Sequence, residues 1–581
     1  MREIVSPLSG IRSPFGQLTS PLAIYAVLGI KPELVFDFDA DKYFVNSRRS
    51  TFSDSITHSR ASTATYVDST GTLQTAGINE PRIGHHIYNG SAWVNEGLLH
   101  ESEARTNLIT YSEDFTNGWS LSLLLPFGSG SVSNATTAPD GNSTADLIVP
   151  TTDSSNTHYI RTAHQPALAT GAVGTFSIFV KAAGYTSLSL RLVGTDAAII
   201  NYDLTAVTAD DAGGSIEDVE NGWYRCTITG TGVGSTAWPW VYPNQQLTYA
   251  GDGTSGIYIY GAQFEAAPTP SSYIPTTGST ATRAAETLTV PSANLPWPTP
   301  NVIGDELVTN GTFDTDLSGW TESTSGVVTW DATGAALIGD GNTVNNTTFT
   351  QTLTGLTVGA VYQLSVDINT LSGAGVRISW DGVNLEGGDY LSSSQTFTLV
   401  AAASSVDLAF FRFRNHTGEV LIDNISVREI DPLAVSIQMD GRMTYADEDA
   451  TDEVVFFRKY ADVSNNIRSR LRTDFGTGRY DFLQVESGTT DFVSSDVSEA
   501  SPGILQPFNI ASRHGSTFIN GAVDGTEIGG QGWEYGDTTP VALPDLSATD
   551  MNLGYDYNGT IKTFRVWAAD LGDTGIEDAS G

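Results

Sequence analysis

The chain has 581 residues, which is too many for one hydrophobic core, and typical domain sizes predict roughly three to five compact units. Acidic residues outnumber basic ones by 66 to 28 and give a formal charge of -38, which excludes nucleic acid as a partner unless a local basic patch intervenes. The sequence shows no such patch. A single cysteine, Cys226, excludes an intrachain disulfide. Residues 22–30 are far fewer than the ~20 apolar residues that a membrane-spanning helix needs, so we expect no span there.

The amino-terminal residues 1–35 are apolar and interrupted by prolines, among them Pro7, Pro14 and Pro21. These prolines disfavour a signal peptide, and no small-residue cleavage site follows them. We therefore predict that the segment is retained as a tail that docks on a partner protein.

Short alternating apolar segments make up most of the remaining chain. Gly, Asn and Asp turn signals separate them roughly every ten residues, and long amphipathic helical periods are missing. This pattern predicts an all-β protein of serial antiparallel β-sandwich or jelly-roll modules.

Two modules share one plan, because "NGTFDTDLSGWT" at 310–321 repeats the opening "EDFTNGWS" at 113–120. The strand-like segment "TLTVPSANLPWPTP" at 287–300 lacks a neighbouring partner strand, and strands resume only near residue 432, so we predict that one module is inserted in the last sandwich. The predicted units are a tail (1–35), a small β-subdomain (36–104), a β-sandwich (105–266), a linker (267–286), a last sandwich (287–300 plus 431–581) and an inserted jelly-roll module (301–430).

Three segments resemble a recurrent pattern of tailed-phage head-spike and tail-fibre proteins: "HSRASTATYVDSTG" (58–71), "EARTNLITYSEDFTNGW" (103–119) and "TAPDGNSTADLI" (137–148). The resemblance covers about residues 34–290. It implies a virion protein that is assembled in the host cytoplasm, exposed on the particle and bound to other virion proteins through its tail. The fibre resemblance also implies a homo-oligomer, with a trimer as the expected form.

Two further resemblances concern the folds of single modules. "NGTFDTDLSGW" with "IDNISVRE" (422–429) resembles the jelly-roll carbohydrate-binding modules found beside glycosidases. "FINGAVDG" (518–525) with "YNGTIKTFRVW" (557–567) resembles concanavalin A-like, laminin-G-like domains. These resemblances imply carbohydrate-binding-like sandwiches at 105–266 and 301–430 and a concanavalin A-like sandwich at the end.

Glycan binding requires an aromatic ring that stacks on a sugar and polar neighbours that bind the sugar hydroxyls. In "TAWPWVYPNQQLTY" (236–249) the candidates are Trp238, Trp240 and Tyr242, and a buried crossover loop or an oligomer contact fits this segment equally well. Trp320, in the opening motif, is predicted to be a core residue, and every other aromatic candidate has a core position as its alternative. The candidates in the inserted module are Trp330, Trp380, Asp381, Asn384 and Tyr390.

A calcium site is implied by the resemblance to carbohydrate-binding modules, which coordinate Ca²⁺ between their opening and closing strands. Glu306 and Asp423 match these two places, and oxygen donors from both ends would clamp the module together. The alternative is that Asp423 only caps a strand end. For the pair His85 and His86 a shared metal is not expected, because adjacent residues of a strand point to opposite faces.

Catalysis is not predicted. Glu96, Glu101 and Glu103 are close in sequence, but glycoside hydrolysis needs two carboxylates across a cleft, and recognised nucleophile, zinc and phosphate motifs are missing. The resemblances to phage fibre proteins and carbohydrate-binding modules imply a phage fibre or spike protein that binds a host surface polysaccharide. One alternative is a structural decoration or baseplate component whose lectin-like domains hold subunits together, and another is a surface-polysaccharide hydrolase.

Overall fold

The computed structural model describes residues 21–323, 328–331, 335–338, 347–373, 375–385, 390–412, 418–447, 453–474, 476–528 and 542–581. Strands make up 53% of the structure and helices 4%, and the sheets are antiparallel, so the predicted all-β sandwich class is confirmed. Within the described ranges, none of the helices has the length and hydropathy that crossing a bilayer requires.

Residues 21–101 begin with a 3-10 helix, Pro21–Tyr25, and contain one short helix, α1 (Phe52–Ser55). Thr51 caps α1, since its hydroxyl accepts a hydrogen bond from the backbone N–H of Asp54 at 3.2 Å. The strands of this segment are β1 (Leu34–Asp37), β2 (Lys42–Val45), β3 (Arg48–Ser50), β4 (Thr57–Arg60), β5 (Ala64–Val67), β6 (Leu73–Ala76), β7 (Arg82–Ile83), β8 (His86–Tyr88), β9 (Trp93–Asn95) and β10 (Leu98–Glu101).

The first sandwich follows and has two six-stranded sheets around one core. The strands from here to the start of the next module are β11 (Arg105–Asn107), β12 (Trp119–Ser122), β13 (Val132–Thr136), β14 (Ala145–Ile148), β15 (Tyr159–Thr162), β16 (Val173–Ala183), β17 (Ser187–Val193), β18 (Ile200–Asp203), β19 (Thr208–Ala209), β20 (Gly214–Asp218), β21 (Trp223–Thr231), β22 (Trp238–Tyr242), β23 (Gly256–Glu265), β24 (Ala281–Arg283) and β25 (Glu286–Val290). The sheet orders are β12-β15-β22-β17-β18-β19 and β13-β14-β23-β16-β21-β20. Alternate residues of the strands, such as Phe176 and Ile178 of β16, fill the core between them.

The middle sandwich has two five-stranded sheets and a core of its own. After a 3-10 helix at Ser292–Asn294, its strands are β26 (Thr321–Glu322), β27 (Val328–Asp331), β28 (Ala335–Ile338), β29 (Thr347–Thr354), β30 (Val361–Thr370), β31 (Arg377–Trp380), β32 (Val383–Asn384), β33 (Ser393–Val400), β34 (Ser405–Arg412) and β35 (Val420–Ile430). The sheet orders are β26-β29-β34-β31-β32 and β27-β28-β35-β30-β33.

The composite sandwich is built from both ends of the described chain. Its carboxyl-terminal part contains β36 (Ala434–Tyr445), β37 (Glu453–Asp462), β38 (Asn465–Arg472), β39 (Arg479–Glu486), β40 (Thr489–Ser494), β41 (Gly503–Gly515), β42 (Ile519–Val523), β43 (Thr526–Glu527), β44 (Met551–Tyr555), β45 (Asn558–Trp567) and the helix α2 (Gly572–Ser580). One sheet has the order β3-β2-β1-β45-β36-β41-β42-β43, with β10 pairing both β45 and β7. The facing sheet has the order β4-β25-β44-β37-β38-β39-β40.

The prediction of a separate small β-subdomain at 36–104 is wrong. Strands β1 and β10 both pair with β45, and β4 pairs with β25, so these strands complete the composite sandwich, while β5–β6 and β8–β9 form two-stranded sheets of their own. The physical reason is that Leu34, Phe36 and Leu98 are buried in the same core as Phe564. The sequence signals these strands, but it does not signal that β1 and β10 pair with β45, which lies more than 450 residues away.

The described part of the predicted tail also packs against the composite sandwich. Leu22 and Tyr25 are buried beside Phe44, and the Tyr25 hydroxyl donates to Asp37 at 2.6 Å. The indole N–H of Trp567 donates to the carbonyl of Ile30 at 3.2 Å. Residues 21–35 are therefore part of a folded unit and not a free docking peptide, whereas residues 1–20 of the predicted tail lie outside the described residues.

Residues 267–286, predicted as a linker, carry part of a buried ion-pair network. Glu286 accepts from Arg60 Nη1 at 2.5 Å, from Arg82 Nη2 at 2.7 Å and from the backbone N–H of Glu101 at 2.8 Å. Arg82 and Arg283 in turn pair with the Glu101 carboxylate at 2.8 and 3.1 Å. Burial alone would raise the pKa of Glu101, but the Arg283 and Arg82 guanidiniums lower it to about 2. This network ties β4, β7, β10 and β25 of the composite sandwich to one another and to β24.

Candidate functional site

The outer side of one sheet in the first sandwich carries a row of aromatic rings. Strand β22 alternates, so Val241 is buried in the core while Trp238, Trp240 and Tyr242 lie on the opposite side. The predicted candidates of this segment therefore share one face. We call this surface the Trp240 face and define it by Tyr159, Arg161, Arg191, Trp238, Trp240 and Tyr242.

The neighbouring strands place two arginines beside these rings. In the sheet register, Trp240 is paired with Arg161 of β15 on one side and with Arg191 of β17 on the other. The Arg161 guanidinium carbon lies 4.3 Å from the centre of the Trp238 ring, and that of Arg191 lies 6.0 Å from the centre of the Trp240 ring. Both distances fit cation–π contact.

The rings hold one another in place. Trp240 stacks on Tyr159, with 4.0 Å between the ring centres and 27° between the planes. The Trp238 indole N–H donates to the carbonyl of His164 at 3.1 Å. Burial raises the pKa of Tyr242, and a hydrogen bond from Arg191 opposes this rise. The face is therefore a preorganised surface in which Trp238 and Trp240 are partly exposed. Tyr242 is only 2% exposed, so its predicted role as a sugar platform is wrong, and it packs beside Trp240 with 6.1 Å between the ring centres.

Neither Arg161 nor Arg191 forms an ion pair with a carboxylate among the described residues. In a chain of net charge -38, two arginines without carboxylate partners on one aromatic surface are notable. Guanidinium groups recognise carboxylate and phosphate with paired hydrogen bonds. The face can therefore bind a ligand that combines a flat apolar side with an anionic group.

Polar side chains continue this surface along the sheet. The partly exposed Asn201 amide donates to the exposed Asp210 at 2.6 Å, and the Asn201 side-chain oxygen accepts at 2.5 Å from the hydroxyl of Ser189, which is fully buried. On the other side, the register pairs Ser120 with Arg161 and Ser122 with Tyr159. Hydroxyl and amide groups beside aromatic rings are the partners that sugar hydroxyls require.

Sequence reasoning missed Tyr159, Arg161 and Arg191, which complete the face. Each belongs to a strand with an alternating pattern, "YIRT" for β15 and "SLSLRLV" for β17. That alternation places Arg161 and Arg191 on the side away from the core, so the sequence could have predicted that both arginines point outward. The pairing of β15 and β17 with β22 was not readable from the sequence.

The candidates in the middle sandwich do not form one site. Trp330 is 42% exposed and lies on β27, whereas Trp380, Asp381 and Asn384 belong to the β31–β32 hairpin of the other sheet. Trp380 is only 6% exposed and packs in the core, so its proposed role as a sugar platform is wrong. The Tyr390 ring lies 4.7 Å from the Arg377 guanidinium.

The two predicted calcium ligands contact different neighbours. Glu306 accepts hydrogen bonds from the backbone N–H groups of Val308 and Val427 at 3.0 and 2.8 Å, from the Ser426 hydroxyl at 2.5 Å and from Arg428 Nε at 3.1 Å. Its carboxylate oxygens are thus already occupied by protein donors.

Asp423 accepts from the backbone N–H of Asn424 at 2.7 Å, and burial together with Asp367 and Asp314 raises its pKa. Over the described ranges, His, Cys, Asp and Glu side chains form no group of three suited to a metal ion. Calcium binding at Glu306 and Asp423 therefore stays a prediction.

The three glutamates weighed for catalysis are ion-paired. Glu96 contacts Arg442 at 3.1 Å, and Glu103 contacts Arg105 at 2.6 Å. Glu101 belongs to the buried network described above. Within the parts of the chain that the structure describes, the three carboxylates thus have guanidinium partners.

No protein-family model matches the chain, and no curated protein matches it significantly. Solved structures overlap with it only distantly. The tandem CBM22 domains of Paenibacillus barcinonensis Xyn10C are 11% identical over 56% of this chain and 98% of theirs, with a TM-score of 0.17. The ANX2 ectodomain of Arabidopsis thaliana is 8% identical over 49% of this chain and 83% of its own, with a TM-score of 0.13. The cycloalternan-forming enzyme of Listeria monocytogenes is 10% identical over 67% of this chain and 31% of its own, with a TM-score of 0.14. Overlaps at this level carry no inference about function.

Proposed function

We propose that this chain binds an acidic surface polysaccharide through the Trp240 face, as a virion protein of a tailed phage attached to its host. The observation that carries the proposal is the placement of Arg161 and Arg191, without carboxylate partners, against stacked aromatic rings. The virion setting rests on the resemblance of residues 34–290 to head-spike and tail-fibre proteins.

The chemistry of the face fits a uronic acid or a phosphate-bearing sugar. The Trp238 and Trp240 rings offer apolar surface to a sugar, and the guanidiniums offer charge-assisted hydrogen bonds to its anionic group. Such a hydrogen bond contributes about 1.5–3 kcal/mol, which corresponds to roughly tenfold to a hundredfold in affinity. Single sites of this kind are weak, and several copies on one particle would raise the overall avidity.

The test is retention of host surface polysaccharide by the purified chain. Arg161→Gln and Arg191→Gln should each weaken retention about tenfold or more. For the unaltered protein, carboxyl reduction of a uronic-acid polymer or phosphatase treatment of a phosphate-bearing one should weaken retention to the same extent. Arg48→Gln is the matched control, since Arg48 is an exposed arginine of β3 remote from the face. Equal binding by all variants, or equal binding of a polymer from which both carboxylates and phosphates have been removed, would refute the proposal.

The structural alternative makes a different prediction in the same experiment. If the Trp240 face joins subunits, the polysaccharide is not retained and Trp240→Ala lowers the mass measured by light scattering after size exclusion. Release of oligosaccharides from the polymer would instead favour the hydrolase.

A further inference from the structure

A second concave site lies between the first sandwich and the composite sandwich. A groove of about 1020 Å³ runs between the β20–β21 hairpin and the ends of β36 and β41. A chamber of about 110 Å³ adjoins it. Glu217, Arg225, Pro270, Ile504 and Leu505 line both spaces, so the chamber is the inner end of the groove.

The walls of the chamber are tied together by hydrogen bonds between separate segments. The Trp93 indole N–H donates to the Glu220 carboxylate, and the Thr65 hydroxyl donates to the carbonyl of Tyr273 at 2.6 Å. Trp93 also requires a glycine beside it: Gly71 has φ +78°, and a Cβ there would lie 2.3 Å from the Trp93 ring. The chamber is therefore a formed feature of the fold.

Its polar lining contains groups that protein partners do not satisfy. Glu217 and Arg225 face each other in the β20–β21 register, beyond ion-pair distance. Arg225 donates through Nη2 to the carbonyl of Ser271 at 2.8 Å, but its Nε is buried without an acceptor. The side-chain oxygen of Asn558 is likewise buried without a donor. Burial raises the pKa of Glu217, which the Arg225 charge opposes.

A histidine adds one more donor. His85 lines the chamber, and its Nδ1 accepts from the backbone N–H of Val67 at 3.1 Å. Burial lowers the pKa of His85 to about 3, so its ring is neutral at physiological pH and carries its proton on Nε2. The lining thus combines donors from Arg225 and His85 with acceptors from Glu217 and Asn558.

We propose that the groove and its chamber form a second binding site, which takes an uncharged, hydroxyl-rich sugar residue at the end of a glycan. An anion would meet the Glu217 carboxylate and a cation would meet Arg225, whereas a hydroxyl both donates and accepts. Phe179 and Tyr273 supply apolar wall for the carbon side of the sugar. The chamber is somewhat smaller than the ~150 Å³ cavity that holds benzene, so it admits a ring edge or one substituent. The inference does not depend on the Trp240 face.

The experiment uses free glucose, galactose and N-acetylglucosamine as probes, with the full chain and saturation-transfer NMR as the readout. We expect at least one of these sugars to bind with a Kd on the order of 1 mM. Glu217→Ala removes an acceptor, and Val219→Phe narrows the chamber. Each variant should bind that sugar at least tenfold more weakly. Asp153→Ala is the matched control, because Asp153 is an exposed carboxylate of the same sandwich that lines neither space.

The variants also separate the two sites. Trp240→Ala should leave binding of the neutral sugar unchanged, while Glu217→Ala should leave retention of the acidic polysaccharide unchanged. The inference is overturned if none of the three sugars binds. It is also overturned if Glu217→Ala and Val219→Phe both bind the sugar as the wild type does and keep its melting temperature, or if Trp240→Ala abolishes binding of the neutral sugar. Failure of acidic polysaccharide retention alone would overturn only the function proposed for the Trp240 face.

Discussion

Replacing Glu286 with glutamine tests whether the buried ion network holds the composite sandwich together. Glu286 is the shared acceptor of Arg60 and Arg82, and all three side chains are fully buried. Burial alone would raise the pKa of Glu286, but Arg82 holds it well below its usual value, so the wild-type network contains a carboxylate. Glutamine keeps the shape of the side chain but leaves the two guanidiniums without their common negative charge.

The expected cost follows from the burial of these charges. Removing one partner of a buried ion pair destabilises a protein by about 3–5 kcal/mol. For a unit of this size each kcal/mol lowers the Tm by about 2–4 °C, so the melting transition of the composite sandwich should fall by about 6–20 °C. Differential scanning calorimetry, which separates the transitions of the three sandwiches, is the assay.

Glu103→Gln is the matched control for this prediction. Glu103 contacts Arg105 at 2.6 Å, but its side chain is 45% exposed, and exposed pairs contribute about 0–1 kcal/mol. A loss of less than about 1 kcal/mol for Glu286→Gln, or equal losses for the two variants, would refute the reasoning, because burial would then not set the strength of the network.

Three more predictions concern pH, metal and core packing. Burial lowers the pKa of His514 to about 3, so between pH 6.5 and pH 3 this histidine is protonated in the unfolded state but not in the folded state, and the protein loses stability as the pH falls. In His514→Gln the loss of unfolding free energy between pH 7 and pH 5 should be smaller by about 2 kcal/mol than in the wild type. Denaturant titration at both pH values measures this difference. Calcium binding at Glu306 and Asp423 predicts that Ca²⁺ raises the Tm of the middle sandwich and EDTA lowers it, whereas an unchanged Tm would show that Glu306 keeps its four hydrogen bonds to the protein and binds no Ca²⁺. Trp380→Ala should cost about 3–5 kcal/mol in the middle sandwich by calorimetry without reducing polysaccharide retention.

The fold class was predictable because period-two alternation is a local property. In β22, Trp238 and Trp240 alternate with Pro239 and Val241, which predicts that the two tryptophans lie on one side of a sheet. The structure confirms this, because Pro239 and Val241 are buried and the tryptophans are partly exposed. Strand pairing is not local in the same sense. Nothing in the sequence near Leu34 indicates that β1 pairs with β45, and the small subdomain was wrongly predicted for that reason.

The candidate site was predictable only in part for the same reason. The aromatic residues of β22 stood out because they are close in sequence, whereas Arg161 and Arg191 reach Trp240 only through the register of three strands. Trp380 shows the reverse error: the sequence "SWDGVNLEGGDYL" (379–391) predicts a strand followed by an exposed loop, but Trp380, just before the turn, is buried in the core. Burial of one aromatic ring depends on the facing sheet, which the local pattern does not contain.

The whole chain is negatively charged, whereas the Trp240 face carries two arginines. These opposite charges predict an unusual salt dependence of polysaccharide retention. The net charge of -38 repels an acidic polysaccharide over the Debye length, which is about 30 Å at 0.01 M salt and about 8 Å at 0.15 M. Arg161 and Arg191 attract the polymer only at contact, and they lose strength near 1 M salt, where the Debye length is about 3 Å. Retention should therefore be greatest at intermediate ionic strength and lower at both extremes.

In the double variant Arg161→Gln, Arg191→Gln only the repulsion remains, so its residual retention should rise steadily with salt. A steady fall of wild-type retention from 0.01 M upward would show that the overall charge does not act on the approaching polymer and that the arginines alone govern binding.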